Sequence, residues 1–211
     1  MTMSVSKLLS RIVAPDSVLS AEGDNEDIVI KQLHEHTYGI TSCPMTQFAA
    51  VIAALTHDID HTGLPNTQLI KEGNRLAELY KNKSVAEQNS VDLAWDLLMD
   101  DQFKDMRALI FTNDTEQKHF RSLLVNLVLA TDICDKELGA QRKARWAKAF
   151  TSDGSSSLEE SQQDAVNRKA TIVLEHLIQA SSCTTQQHFI LLRFYLISQT
   201  LFNLPPYRLL M

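Results

Sequence analysis

Glycine and proline are scarce in this sequence: 6 Gly and 5 Pro are 11 of 211 residues, about 5%, against a usual share of roughly 12%. Sandwiches and barrels of β-strands need many tight turns, and those turns draw on both residues. The count therefore excludes these folds, together with collagen-like and Pro/Gly-rich disordered chains. With a hydrophobic share of 44%, a chain of this length can bury one core. The sequence predicts an all-α fold, a compact multi-helix bundle.

Paired cysteines, a leader peptide and a membrane-spanning stretch are also lacking. The three cysteines, Cys43, Cys134 and Cys183, form no CxxC pair, which is typical of free thiols in a reducing compartment. Residues 1–9 have no basic segment followed by a long apolar run, so no signal peptide is predicted. The apolar residues 189–204 fall short of the roughly 20 that cross a bilayer. We expect a cytoplasmic protein, and a membrane-tethered parent protein is compatible with this.

An excess of positive charge is absent as well. Lys and Arg number 20 against 26 Asp and Glu, a net charge of −6. Such a field repels a phosphate backbone, so we expect no nucleic-acid partner. The densest basic run, residues 142–148, is predicted to be the solvated face of a helix.

Apolar residues recur at three- and four-residue steps, which predicts helices with one buried face. In the helix expected over residues 46–57, the predicted buried face is Phe48, Val51, Ile52 and Leu55. In a long helix expected over residues 115–133, it is Phe120, Leu123, Leu124, Leu127 and Val128. A short helix is expected from residue 66 to about residue 79, with Asn66 as its cap.

The sequence His57-Asp58-Ile-Asp60-His61-Thr-Gly63 places four acidic or imidazole groups within five residues. If the helix continues, His57 and His61 project from one face, with Cβ atoms about 5–6 Å apart. Such groups at the end of an apolar helix are costly unless they are paired or bind metal. Imidazole suits zinc-like ions and carboxylate suits magnesium-like ions. A polar helix end with two hydrogen-bonded histidines is the alternative interpretation of the pattern.

Three segments, in order, resemble the catalytic domain of the cyclic nucleotide phosphodiesterases, a branch of the HD-type metal phosphohydrolases. Residues 57–66, HDIDHTGLPN, resemble the family's H-D-x-D-H-x-G-x-x-N signature. Residues 76–80 and 84–87 resemble L-A-x-x-Y followed by S-V-L-E, and residues 127–132 resemble I-L-A-T-D. The resemblance implies that residues 1–182 are a partial catalytic domain of this type. Residues 183–211 do not resemble the family and are expected to form an apolar, helical segment.

The resemblance further implies two divalent ions, zinc together with magnesium or manganese, that hydrolyse cAMP or cGMP to 5′-monophosphates. His57 would be a ligand of the first ion, and Asp58 would bridge both. His61 and Glu87 would be catalytic groups that hold waters of the second ion. Asn66 and Asp132 would support this water shell.

Glu87 and Asn66 each have a plainer interpretation that stays open. Ser84-Val-Ala-Glu87 is a competent capping box, in which the Ser84 and Glu87 side chains satisfy backbone N–H groups at a helix start. Asn66 follows Pro65 and could cap the short helix that it begins.

Two departures from the family are as informative as the match. The family's H-N-x-x-H segment, which supplies the general acid and one zinc ligand, is not in this sequence, so we assign no general acid. At the position where the family has a further metal-binding aspartate, this chain has Ser182. We expect an impaired enzyme that has been truncated at both ends.

Two other functions remain as alternatives. The chain could be a catalytically inactive interaction module that binds a helical protein partner through the apolar residues 189–204. It could also be an HD-type phosphohydrolase for another nucleotide, although the second and third matching segments argue against this. A preference for cAMP or cGMP cannot be read from the residues that match.

Overall fold

The computed structural model describes residues 1–12, 37–41, 43–150 and 162–182, and every regular element within them is helical. The helices are α1 (Thr2–Leu9), α2 (Pro44–Thr56), α3 (Asn66–Lys71), α4 (Arg75–Leu79), α5 (Val85–Met99), α6 (Lys104–Ile110), α7 (Asp114–Leu129), α8 (Lys136–Phe150) and α9 (Gln162–Ser182). A 3₁₀ turn at Asp101–Phe103 leads into α6. The all-α prediction is confirmed. No helix among the described residues is long and apolar enough to cross a membrane.

Local sequence explains where several helices begin and end. Pro44 occupies the first turn of α2, where its missing N–H costs nothing. The Asn113 side chain caps α7 by accepting a hydrogen bond from the Glu116 N–H at 2.9 Å. The single helix expected over residues 66–79 is in fact two helices, because Gly73 adopts a φ of +62° between α3 and α4.

Helix α7 forms the centre of the core and packs against α2, α5 and α9. Its predicted inward residues, which are all buried, are Phe120, Leu123, Leu124, Leu127 and Val128. This prediction is therefore confirmed, and the core lies along one face of α7.

The buried face of α2 differs from the prediction. Phe48 is 39% exposed and Leu55 is 64% exposed, and Val51 and Ile52 are only partly buried. The residues that pack inward are the small ones, Ala49, Ala50, Ala53 and Ala54. Small side chains let α2 and α7 approach closely, since interaxial distance depends on the side chains at the contact. We call Phe48, Val51, Ile52 and Leu55 the α2 outer face.

Hydrogen bonds show which helix ends meet. The hydroxyl of Ser90, in the second turn of α5, donates to the carbonyl of Ile59, just after α2, at 2.8 Å. The hydroxyl of Ser84, just before α5, donates to the carboxylate of Asp132, just after α7, at 2.8 Å. The carboxyl ends of α2 and α7 therefore both lie at the amino end of α5.

The carboxyl end of α9 reaches the same place. The amide of Gln179 donates to the Ala130 carbonyl at 3.0 Å, and both residues are buried. Ser182 ends α9 one turn later, so this helix also finishes at the end of the bundle where the candidate site residues lie.

Most of the basic run in α8 is exposed, as predicted, but Arg142 is buried, so the prediction is wrong for that residue. Arg142 is 6% exposed and donates to the Asp132 carbonyl at 3.2 Å. Arg145 binds both carboxylate oxygens of Glu175, at 3.0 and 2.8 Å, and Glu175 is 1% exposed. Burial raises the pKa of Glu175, and the charge of Arg145 opposes that rise. A charge run does not reveal an acidic partner 30 residues further along the chain.

Candidate metal centre

The histidine and aspartate motif lies in a turn rather than on a helix. Helix α2 ends at Thr56, and the Ile59 N–H donates to the Thr56 carbonyl at 3.1 Å. Asp60 follows with a φ of +59°, in the left-handed region that aspartate tolerates better than most residues. The two histidines therefore do not share one helical face, because the chain leaves the helix between them.

His57 is held by both ring nitrogens. Its Nδ1 lies 3.0 Å from the Ala54 carbonyl, and its Nε2 lies 2.7 Å from Oδ2 of Asp58. With the proton on Nδ1, which the carbonyl requires, the neutral ring has a lone pair on Nε2 that faces a carboxylate. When Nε2 also carries a proton, the contact is an ion pair between two residues adjacent in sequence.

This arrangement fits a metal ion. Metal-binding histidines commonly donate their other N–H to a backbone carbonyl, as His57 does to Ala54. Asp58 is exposed, so its carboxylate is accessible to an ion from solvent. The two residues supply only two donors, however, and no three His, Cys, Asp or Glu side chains converge within residues 1–12, 37–41, 43–150 and 162–182.

The other two members of the motif have different contacts. Asp60 accepts a hydrogen bond from the Asn89 amide at 3.3 Å, which ties the turn to α5. The Nδ1 of His61 accepts from the Gly63 N–H at 2.9 Å, so Nε2 carries the proton in the neutral ring. His61 is exposed, and its Nε2–H is a donor at the edge of the site.

Asn66 lies between two carboxylates. Its side-chain amide nitrogen donates to Glu87 Oε2 at 2.8 Å and to Asp132 Oδ2 at 3.2 Å. Its side-chain oxygen accepts from the Ala86 N–H at 2.9 Å. Asn66 therefore does not cap its own helix α3; it caps α5 from a distance, and these contacts fix the orientation of its amide.

The capping box predicted at the start of α5 is wrong. Ser84 has a φ of 37° and makes no side-chain capping bond; its hydroxyl donates to Asp132 instead. Glu87 lies in the first turn of α5, where its charge is favourable, and it accepts from Asn66. Ser84 and Glu87 were expected to bond backbone N–H groups at the helix start, but they instead bond Asp132 and Asn66, which are distant in sequence.

Asp132 joins these groups. It is 6% exposed, and Oδ1 accepts from the N–H groups of Cys134 and Asp135 at 3.2 and 3.1 Å. Its Oδ2 accepts from Ser84 and Asn66. With four donors around one buried carboxylate, Asp132 supports its neighbours rather than offering a free oxygen to an ion.

Glu87 is the partly buried acid of the site. Burial raises its pKa, the hydrogen bond from Asn66 lowers it, the negative charge of Asp132 raises it, and His61 has a small lowering effect. The net shift is upward. Shifted pKa values are common at functional sites, because burial and neighbouring charges there adjust the pKa of a group to its role in binding or catalysis.

Sequence reasoning missed three supporting contacts. Asn89 and Ser90 are buried polar residues that hold the turn after α2, and Arg142 holds the backbone of Asp132. In the sequence, the only sign of the contacts of Asn89 and Ser90 is that these two polar residues directly precede the buried Val91. No local sequence pattern indicates the contact of Arg142 with the Asp132 carbonyl, because that contact depends on how α8 packs.

The described helices carry a histidine–aspartate pair after α2, with His57 partly buried and Asp58 exposed, and a network that joins Asn66 and Glu87 to the buried Asp132. Together these residues form a candidate site for a metal-dependent phosphohydrolase. The family model described as 3′5′-cyclic nucleotide phosphodiesterase matches residues 29–188, about three quarters of the chain. The chain belongs to this family, which is metal-dependent. The resemblance that the motifs gave is confirmed.

Similar proteins include the probable 3′,5′-cyclic-AMP phosphodiesterase pde-4 of Caenorhabditis elegans, 36% identical over 85 residues. Others are the human dual specificity calcium/calmodulin-dependent 3′,5′-cyclic nucleotide phosphodiesterase 1C, 36% identical over 86 residues, and the human cGMP-inhibited 3′,5′-cyclic phosphodiesterase 3A, 38% identical over 85. The matches cover 40%, 41% and 40% of this chain and only 12%, 12% and 7% of those proteins.

A crystal structure of the phosphodiesterase domain of Salpingoeca rosetta rhodopsin phosphodiesterase is also similar, with a TM-score of 0.49 and 23% identity. The match covers 85% of this chain and 56% of that one.

Proposed function

We propose that this chain is part of a two-metal phosphodiesterase that hydrolyses 3′,5′-cyclic nucleotides to 5′-nucleoside monophosphates. The observation that carries the proposal is the placement of His57 and Asp58 side by side after α2, with His57 Nδ1 held 3.0 Å from the Ala54 carbonyl and its Nε2 2.7 Å from the exposed Asp58 carboxylate. Family membership supports cyclic nucleotides as the substrate class, because similar proteins are named for cyclic AMP or for cyclic nucleotides generally.

His57 and Asp58 would hold the first ion, zinc by resemblance, and Asp58 would also contact the second, magnesium or manganese. Bound metals of this kind supply Lewis-acid activation of a phosphate ester and of water. Glu87 and His61 are positioned to accept and donate hydrogen bonds to ligands of the second ion. Asn66 and Asp132 fix the orientation of Glu87.

The 211-residue chain by itself is expected to be a weak catalyst. Two protein donors hold a divalent ion poorly, since affinity requires a filled coordination shell. The sequence contains no H-N-x-x-H segment to supply a general acid, and a hydroxyl at Ser182 is a poor substitute for a carboxylate. We assign residues 1–182 to the catalytic domain and treat residues 183–211 as unrelated to it.

The test measures metal binding and hydrolysis separately on the purified chain. We expect weak Mn²⁺ binding by electron paramagnetic resonance, reduced at least tenfold by His57→Ala and unchanged by Leu109→Ala, a control at an 88% exposed site. We also expect slow release of 5′-monophosphate from cAMP or cGMP. A normal enzymatic rate that His57→Ala abolishes would contradict the expected impairment. Mn²⁺ binding that is indifferent to His57→Ala would contradict the assigned site.

The absence of a nucleic-acid partner and the cytoplasmic location remain predictions from the sequence.

A further inference from the structure

The α2 outer face is an apolar surface that the described residues leave partly uncovered. Phe48 and Leu55 are 39% and 64% exposed, and they lie two turns apart on the same side of α2. Val51 and Ile52 lie between them and pack partly against the core, and the Phe48 ring stacks on that of Phe120 with centroids 6.2 Å apart. Leu55 is therefore the most exposed of the four residues. A contiguous apolar strip on a helix usually packs against another part of the same chain or against a partner.

The chain continues from a point at the same end of the bundle as Leu55. Helix α9 contacts α2, and its last turn is anchored by the bond from Gln179 to Ala130, at the end where α2 and α7 also finish. After Ser182, residues 183–188 are polar or small and can span up to roughly 20 Å when extended. The apolar residues 189–204 therefore begin within reach of the α2 outer face.

The pattern of residues 189–204 suits such a surface. Eleven of these 16 residues are hydrophobic. At 100° per residue in a helix, four of the five polar residues fall within an arc of about 120°: Arg193, Gln199, Thr200 and Asn203. This polar arc also contains Phe189, Leu192 and Leu196, whereas the rest of the helix contains eight apolar residues and Ser198. A helix of 16 residues is about 24 Å long, which is enough to cover the roughly 20 Å of α2.

We propose that residues 189–204 bind the α2 outer face of the same chain, with their polar arc toward solvent. A link of six residues gives the two surfaces a millimolar effective concentration for each other, which favours this contact over one with a second copy or a separate protein. This inference does not depend on the proposed catalytic function.

The test places a photo-cross-linking amino acid, p-benzoylphenylalanine, at Leu55 in the full 211-residue chain. We expect irradiation to join position 55 to residues 189–204 within a monomer, located by peptide mass spectrometry. The same cross-linker at Leu109, which is 88% exposed on α6, is the control and should not give this product. Cross-linked dimers, capture of another protein without the intramolecular product, or attachment only elsewhere in the chain would each overturn the proposal.

Two variants make the test specific to one face of the segment. Phe194→Asp combined with Ile197→Asp places charges on the apolar side of the predicted helix and should reduce the cross-link at least fivefold. Thr200→Asp adds a charge on the polar arc and should leave the yield within twofold of the unmodified segment. Equal loss in both variants would contradict the proposed orientation, and no loss in the double variant would contradict the contact itself.

Discussion

Replacing Asn66 by aspartate is the sharpest test of the acid–amide network, because the change exchanges one NH₂ group for an oxygen of similar size. The side-chain oxygen that accepts from Ala86 is retained. The two bonds from the amide nitrogen, to Glu87 at 2.8 Å and to Asp132 at 3.2 Å, are both lost. In their place, three carboxyl groups lie in mutual contact.

The cost can be worked from those contacts. Hydrogen bonds to charged groups contribute about 1.5–3 kcal/mol each, so losing both bonds costs roughly 3–6 kcal/mol. Repulsion among the three carboxylates would add to this loss. The variant avoids the repulsion when one carboxyl group binds a proton, which restores a hydrogen-bond donor between the oxygens. At pH 7, protonating a carboxylate of ordinary pKa near 4 costs about 4 kcal/mol, at roughly 1.4 kcal/mol for each pH unit. We therefore expect Asn66→Asp to lower the free energy of unfolding by about 4 kcal/mol at pH 7.

The pH dependence separates this mechanism from a general packing defect. The folded variant binds about one more proton than its unfolded chain, so its stability relative to the wild type falls as pH rises. From pH 5 to pH 7 the deficit should grow by about 2.7 kcal/mol, two units at roughly 1.4 kcal/mol each. Urea denaturation followed by circular dichroism at both pH values measures the difference.

The matched control is Asn74→Asp. Asn74 caps α4 by accepting from the Leu76 N–H at 2.9 Å, and aspartate caps helices as well as asparagine does. We expect this variant to stay within about 0.5 kcal/mol of the wild type, the scatter typical of surface substitutions. An Asn66→Asp deficit that is equally small, or that does not change between pH 5 and pH 7, would refute the reasoning.

Three further variants test other parts of the structure. Arg145→Ala should lower the free energy of unfolding by about 3 kcal/mol in urea denaturation, because it leaves the buried Glu175 without its ion-pair partner. Lys83→Ala, which breaks an exposed 3.5 Å pair with Glu137, is the control and should lower it by less than about 1 kcal/mol. Phe120→Ala removes a fully buried ring and should cost about 3–5 kcal/mol in the same assay; a loss under about 1 kcal/mol would contradict its central place in the core. Glu87→Gln should be at least as stable as the wild type at pH 7, because the raised pKa of Glu87 means that folding disfavours its charged form. This advantage should vanish below about pH 4, where the acid is protonated in both the folded and the unfolded chain. A variant that is less stable than the wild type at pH 7 would contradict the assigned burial effect.

The family and the location of the candidate site could be predicted from the sequence because both rest on short, local patterns. His57, Asp58, Asn66, Glu87 and Asp132 were all singled out from motifs. The structure brings the last three into one network through bonds that no spacing rule gives. Asn66 and Glu87 also had a local capping interpretation, and in the structure each makes a contact distant in sequence instead.

The errors have a common physical cause. Periodicity identified α2 as a helix with an apolar stripe, but it favoured the larger side chains, and the close approach to α7 selected Ala50 and Ala53 instead. The charges of α8 suggested a solvated face, but Arg142 is buried against the Asp132 carbonyl, and the exposed Arg145 pairs with the buried Glu175. In each case tertiary packing decided between two faces that the local sequence allows, and a single sequence does not record the partner helix.

The candidate site has two parts with different surroundings: the network around the buried Asp132, and the pair of His57 and Asp58 in the turn after α2. Asp132 has all its hydrogen bonds from the protein, and Asn66 connects it to the start of α5, so this network is complete without an ion. His57 and Asp58 lie instead in the turn after α2, where they contact each other and His57 also contacts the Ala54 carbonyl. Substitutions in the network should therefore act on folding first, whereas substitutions at the pair should act on metal binding with little effect on the bundle.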